Sequence, residues 1–448
     1  MLATEAIMSP ALPRSAATFL ALAGAALAGA ALAAAAYEEA RPFKASEILK
    51  PSQVKGPHYT VAADVPTGGF FHEFKLTTDY GPLEVEGRGP LLGRIHEVGA
   101  LAKLDEVSKS EVFLKAAGTS LVATGKGVAA AVKDPEATAK GIGGGVKRFG
   151  TNLGRKAKRT TDKAVDSATK DEGEKKAAGE EKATTDKAAA GAETVANSVL
   201  GVNGSARKWA QKVGVDPYTT NPVLKKALVE LGRIDAAGGL AAKIAIPIPP
   251  VVSGTAKVGN LVWSADPEAV LKSSEQAMRE MGVGADVIKQ LYLAKGFTLT
   301  LHTRLVTALR QVNPKGGADY VATAADSAND REALFFTQSA EMLQFLHEKS
   351  PVAAVLPDSR AMVAKTKDGR GFVLLPVDYV RWTEFIEKAL GEIAGRAKAE
   401  LGVTKLELRT TATVSPTAKK ELAARGFTVT ERLPYGQEVV QASAAPAK

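Results

Sequence analysis

Histidine is the side chain best suited to move a proton near neutral pH or to ligate a metal. This chain holds five, His58, His72, His96, His302 and His347, spread widely along it. Three precede a glutamate (His72-Glu73, His96-Glu97 and His347-Glu348), but none has the second histidine four residues on that a zinc-binding helix requires. Each is therefore read as a partly exposed polar residue on a strand or helix, not as a metal ligand or catalytic base. There is no cysteine, which excludes a disulfide framework, a thiol nucleophile, a zinc ribbon and an iron–sulfur site. No G-x-S-x-G nucleophile turn occurs, and Gly118-Thr119-Ser120 lies in a helical pattern with no strand before it. Gly125-Lys126-Gly127 lacks the spacing and the following Ser/Thr of a phosphate-binding loop, and the run 141–146 has Val146 where a dinucleotide loop needs its third glycine. No cofactor is expected.

One segment carries concentrated charge. Between Lys140 and Arg159 stand seven basic residues and no acidic one: Lys140, Lys147, Arg148, Arg155, Lys156, Lys158 and Arg159. In helical projection Ile142, Val146, Phe149 and Leu153 form one apolar stripe, with most of the basic residues opposite and Lys156 nearer its edge. That is the pattern of a helix lying on an anionic surface. Six glycines work against the helix, each costing about 1 kcal/mol relative to Ala. The same pattern also suits a surface helix packed on the protein's own core.

The string Val215-Asp216-Pro217-Tyr218-Thr219-Thr220-Asn221-Pro222 is the most distinctive in the chain. Asp216, Tyr218 and Asn221 could line a site; the favoured reading is two capped helix starts joined by a turn, with Tyr218 as a packing anchor. This string, and residues 70–104, where a strand pair runs into a helix containing Arg94-Ile95-His96-Glu97, are similar to a group of uncharacterised exported bacterial proteins. The resemblance covers short stretches and implies no activity and no catalytic residue.

The elements that would position these residues follow from periodicity. Residues 58–64, 70–78 and 83–86 are rich in β-branched and aromatic residues and are separated by turn chemistry. Alternate positions from Phe70 to Leu76 are apolar, as in a half-buried strand. Leu91, Ile95, Val98 and Ala102 share a helical face, and a second helix is predicted over 110–132. Asp134-Pro135, Asp216-Pro217, Asn221-Pro222, Asp266-Pro267 and Ser415-Pro416 each pair a side-chain cap with a proline suited to the first helical position. Helices are predicted over 222–231, 267–281, 285–295, 299–312 and 318–347, the last as one or two. The apolar run 244–262 contains three prolines and reads as buried extended chain. A hairpin is predicted across Lys367-Asp368-Gly369-Arg370, then a helix over 379–401, a strand over 405–411, a helix over 416–425 and a strand over 427–432. The fold class is α+β and predominantly α-helical, a helical central body with short antiparallel β regions near both ends. The two β regions are expected to join one mixed sheet.

Residues 16–32 are an uncharged apolar run and Ala34-Ala35-Ala36 offers a small-x-small cleavage site, so residues 1–36 read as a secretory signal peptide. The expected divisions after it are 37–159 (strands, helices and the basic segment), 160–198 (a low-complexity charged linker), 199–350 (a helical domain), 351–433 (an α+β module) and 434–448 (a tail). The formal net charge of the 448 residues is +9, and seven units of it sit in the basic segment. With that confinement and 6% aromatics, nucleic acid is not an expected partner. The sequence thus points to an exported, periplasmic or extracellular, non-enzymatic protein of the bacterial envelope. Its basic segment would contact an anionic membrane or envelope polymer, placing it peripherally on the membrane. The alternatives are a hydrolase-like periplasmic enzyme whose site is assembled from distant residues, and a scaffold with a protein partner.

Overall fold

The computed structural model describes residues 37–110, 204–238 and 261–434. The signal peptide, the 110–132 helix beyond Ser110, Asp134-Pro135, the basic segment, the linker, residues 244–260 and the tail all lie outside the described residues.

The chain enters as a strap over 37–48 that carries the short strand β1 (Phe43–Lys44) and a single helical turn (Ala45–Ile48). After a second turn (Pro51–Val54) come β2 (Lys55–Gly56), β3 (Tyr59–Val61), β4 (Asp64–Val65), β5 (Glu73–Thr78) and β6 (Gly81–Glu86). Strands β2, β3, β5 and β6 form an antiparallel sheet in that order, and β1 pairs with β4. Phe74 and Leu76 point from β5 into a core with Phe43, Val61, Val85 and Leu91, while Glu73 and Lys75 face outward.

Helix α1 (Arg88–Ser108) follows directly. Gly87 makes the sharp entry at φ +99°, a conformation that favours glycine. Helices α2 (Gly204–Val213) and α3 (Pro222–Gly238) pack on α1 around Leu101, Leu104, Trp209, Leu228 and Trp263. The remaining helices are α4 (Pro267–Glu280), α5 (Ala285–Leu293), α6 (Leu299–Val312), α7 (Gly317–Ala324) and α8 (Asp330–Lys349). Residues 261–262, the end of the apolar run, belong to a helical turn over 261–264, not to extended chain.

The C-terminal part is built on β7 (Val352–Val355), β8 (Met362–Thr366), β9 (Gly371–Leu375), β10 (Tyr379–Val380), α9 (Glu384–Arg396), β11 (Leu406–Thr410), β12 (Thr413–Val414), α10 (Pro416–Ala424) and β13 (Phe427–Thr430). Its five-stranded sheet runs β13-β11-β9-β8-β7. β7, β8 and β9 are antiparallel; β9, β11 and β13 are parallel, because α9 and α10 supply the crossovers that parallel neighbours need. One apolar cluster runs from Ala277 in α4 to Phe427 in β13, so the central helices and this sheet share a core.

The α+β, helix-dominated class is what the structure shows. The C-terminal β region is mixed, not antiparallel as expected, because α9 and α10 return the chain in the same direction. Three further local expectations change. The two β regions are separate sheets, joined where Phe70 O accepts the backbone N–H of Asp378 and of Tyr379 (3.0 Å each). The Phe70 contacts draw Tyr379 and Val380 into extended chain, so the helix predicted from 379 starts at Glu384 with Thr383 as its cap. Asp216-Pro217 opens a turn, not a helix, whereas Asn221, Asp266 and Ser415 cap α3, α4 and α10 as expected.

Candidate functional site

A cleft of about 540 Å³ opens where the strap, the β6–α1 corner, α8 and the C-terminal loops meet. That lies within the roughly 300–1,000 Å³ of small-molecule pockets. Four arginines from remote parts of the chain line it: Arg41, Arg88, Arg331 and Arg432. Three carboxylates do too, Glu47, Glu86 and Asp378.

Two of these carboxylates are held by hydrogen bonds, and Glu47 stands near Arg41. Asp378 Oδ2 accepts the backbone N–H of His72 at 3.0 Å, and its two oxygens accept that of Arg88 at 3.0 and 3.2 Å. It thereby satisfies the first N–H of α1, which Gly87 has no side chain to reach. Its own carbonyl accepts from Thr413 N at 3.0 Å, which ties the hairpin, the helix and the C-terminal loop to one residue. Glu86 pairs with Arg331 at 2.5 Å, and the guanidinium lies 5.5 Å from the centroid of Phe71. Burial raises the Glu86 carboxyl above its usual range, opposed by Arg331. Glu47 stands 3.9 Å from Arg41, whose guanidinium covers the ring of Phe43 at 4.0 Å.

The strap is fastened at the edge of the cleft, partly through the lining residue Ser415. Glu38 N donates to Trp382 O (2.7 Å), and Glu38 Oε2 accepts from Trp382 N (2.6 Å) and Ser415 Oγ (2.5 Å).

His72 borders the cleft but is buried, a correction to the partly exposed reading; it belongs to the inward face of β5's alternation. Its Nδ1 lies 2.7 Å from Thr67 Oγ1, and its ring meets Phe43 and Tyr379. Burial, reinforced by the charge of Arg88, lowers its pKa to about 4, so the imidazole is neutral at pH 7. A hydroxyl beside an imidazole is the start of a nucleophile–base pair. Thr67, however, is buried and is not a wall of the cleft, and Asp378 touches the backbone of His72, not its ring. The pair is built for packing.

The partly exposed reading fails for His302 as well. It is wholly buried in α6, stacked on Tyr292 at 4.8 Å, with neither ring nitrogen hydrogen-bonded among the described residues. His96 Nε2 meets Gly214 O at 3.0 Å, His58 pairs with Asp79 at 2.7 Å, and His347 Nδ1 accepts from Val352 N at 3.2 Å. No group of three His, Asp or Glu among the described residues could hold a metal ion.

The residues of the 215–222 string do not reach the cleft. Tyr218 is a buried anchor beside Val262, Val270 and Leu299. Asp216 is half-buried and accepts from Tyr218 N (2.9 Å) and Thr300 Oγ1 (2.7 Å); desolvation raises its pKa against those bonds. The string instead meets the Arg94–Glu97 stretch of α1. Glu97 accepts from Thr219 Oγ1 (2.5 Å), Asn221 Nδ2 (3.1 Å) and Arg94 Nη1 (2.7 Å), and Arg94 Nη2 reaches Thr220 Oγ1 at 2.5 Å. The two stretches singled out in the sequence are thus two halves of one polar latch.

The seven basic residues Lys140, Lys147, Arg148, Arg155, Lys156, Lys158 and Arg159 lie outside the described residues. The cleft arginines carried no sequence signal, since positions 41, 88, 331 and 432 share no motif or period. Among the described residues no helix is long and apolar enough to cross a membrane. No family model, curated protein or solved structure matches the chain.

Proposed function

We propose that this chain is a non-enzymatic binding protein exported to the bacterial envelope, with a small-molecule ligand held in the cleft. The observation that carries the reading is the state of the cleft's charged groups. Asp378 is committed to backbone N–H groups and Glu86 to Arg331, and His72 is neutral and packed among rings. Such groups hold and orient; none is poised to exchange a proton with a ligand. The leader-like residues 1–36 support export, and the basic segment supports contact with an anionic membrane or envelope polymer.

The hydrolase-like alternative would use His72, the histidine that lines the cleft, as its base. Replacing His72 by Gln separates the two, since a binding protein loses only packing while an esterase or phosphatase activity would vanish.

The binding reading is tested by native mass spectrometry of the full chain purified from the periplasmic fraction, beside Gln338→Trp. Gln338 lines the cleft from α8, and a Trp there fills it. A small molecule carried by the parent and absent from the variant supports the reading; an identical mass on both, or no export, overturns it.

A further inference from the structure

Resting on the cleft as a binding site, we infer that its ligand is an organic oxyanion: one carboxylate or phosphate group on an apolar body. The oxyanion is met by Arg432, Arg41 and the Thr413 hydroxyl, and the body lies against the half-buried ring of Phe71.

Donors in this cleft outnumber acceptors that are still available. Asp378 and Glu86 are consumed as described, which leaves Glu47, facing the charge of Arg41, as the lining carboxylate outside a hydrogen bond among the described residues. The side chain of Arg432 is exposed and makes no ion pair or hydrogen bond among the described residues, and the Thr413 hydroxyl likewise makes none. Arg41 is exposed; it lies over the ring of Phe43 and has the 3.9 Å approach of Glu47, but makes no hydrogen bond among the described residues. Guanidinium groups present donors in a planar fork that matches a carboxylate or phosphate.

The backbone supplies an independent pointer. Arg432 has φ +54°, the left-handed region that a non-glycine residue adopts only at a cost. Main-chain bonds fix it there: Arg432 N donates to Ala412 O (3.0 Å) and Leu433 N to Thr410 O (3.1 Å). Beyond the charge it places beside Glu431, the Arg432 side chain makes no hydrogen bond among the described residues, and it lines the cleft. The half-buried Phe71 gives the same cleft an aromatic surface.

The test is isothermal titration of the full chain with 1-naphthyl phosphate, 1-naphthoate, 1-naphthylmethylamine, 1-naphthalenemethanol and inorganic phosphate. The two naphthyl oxyanions are expected to bind, weakening as salt rises, with inorganic phosphate at least tenfold weaker. Arg41→Gln and Arg432→Asn should each weaken them tenfold or more. Asn tolerates a left-handed φ, so Arg432→Asn should melt at or above the parent temperature while losing affinity, which a structural role for Arg432 would not produce. Equal or tighter binding of the amine or the alcohol would overturn the oxyanion while leaving a binding cleft. Inorganic phosphate binding as tightly as naphthyl phosphate would overturn the apolar body. No binding by any naphthyl probe at millimolar concentration would overturn the inference as a whole, the mass-spectrometric comparison of Gln338→Trp then deciding the broader reading by itself.

Discussion

The carboxylate of Asp378 caps helix α1 at Arg88 from 290 residues away in sequence. The helix begins after a glycine and has no acidic residue in its first turn, so its N-terminus is satisfied only by tertiary structure. Asp378→Ala strands the N–H groups of both His72 and Arg88. It should lower the unfolding free energy by about 2–4 kcal/mol, the sum of a lost cap and unsatisfied donors. Asp378→Asn keeps an acceptor oxygen and should recover part of this. Urea unfolding followed by tryptophan fluorescence measures both, and an unchanged midpoint for the alanine variant would remove Asp378 as the hub.

The latch between α1 and α3 makes a second prediction. Glu97 accepts from Asn221, which also caps α3 through Val223 N (3.1 Å) and Leu224 N (3.3 Å). Glu97→Ala and Asn221→Ala should each destabilise by about 1–3 kcal/mol, and a double-mutant cycle should return a coupling of about 1 kcal/mol. Strict additivity would show that the two side chains act separately.

Acid should weaken the fold between pH 6.5 and about 4. His72 and His302 are held neutral, each lowered to about 4 chiefly by burial. In that window the unfolded chain binds protons that the folded chain excludes, so the stability present above pH 6.5 is lost as pH falls. Each histidine is worth up to about 3 kcal/mol by pH 4. Asp216, raised by burial, acts with the opposite sign, since the folded form takes up its proton first. His302→Leu should flatten the profile of urea midpoint against pH; a parallel profile would show that His302 does not contribute.

Gly232→Ala settles a contest of two effects. In a helix interior alanine is favoured over glycine by about 1 kcal/mol. A Cβ at Gly232 would stand 2.7 Å from Ala206 N and 2.9 Å from Ala206 Cα, in the backbone of α2. Overpacking against backbone costs about 1–3 kcal/mol or more, so the variant should melt lower. A higher melting temperature would mean that α2 and α3 separate easily.

If the basic segment serves an anionic surface, the chain should sediment with anionic vesicles and not with neutral ones. Reversing Lys147, Arg148, Arg155 and Lys158 to Glu should abolish this, since each cation is worth about 1 kcal/mol at such a surface. Equal sedimentation with both vesicle types would count against the surface role.

Elements whose ends are set by local chemistry could be read in advance. Helix α6 runs from Leu299 to Val312 as its periodicity predicts, and the Asp368-Gly369 turn joins β8 to β9. Elements decided by a distant partner could not. Asp216 resembles the caps at Asn221 and Asp266, but Thr300 and the burial of Tyr218 turn the chain instead. Tyr379 belongs to a helical pattern until Phe70 captures its N–H. The cleft was illegible for the same reason, since its arginines become neighbours only when Asp378 and Glu38 draw the ends of the chain together.

That drawing together has a kinetic meaning. His72 waits for a partner made 306 residues later, and Glu38 for one made 344 residues later. Closing such loops is slow, and the N-terminal hairpin and strap cannot reach their final contacts until nearly the whole polypeptide has emerged. A nascent chain wired in this way remains pliable throughout its own synthesis, the condition under which a polypeptide can still be threaded through a narrow pore.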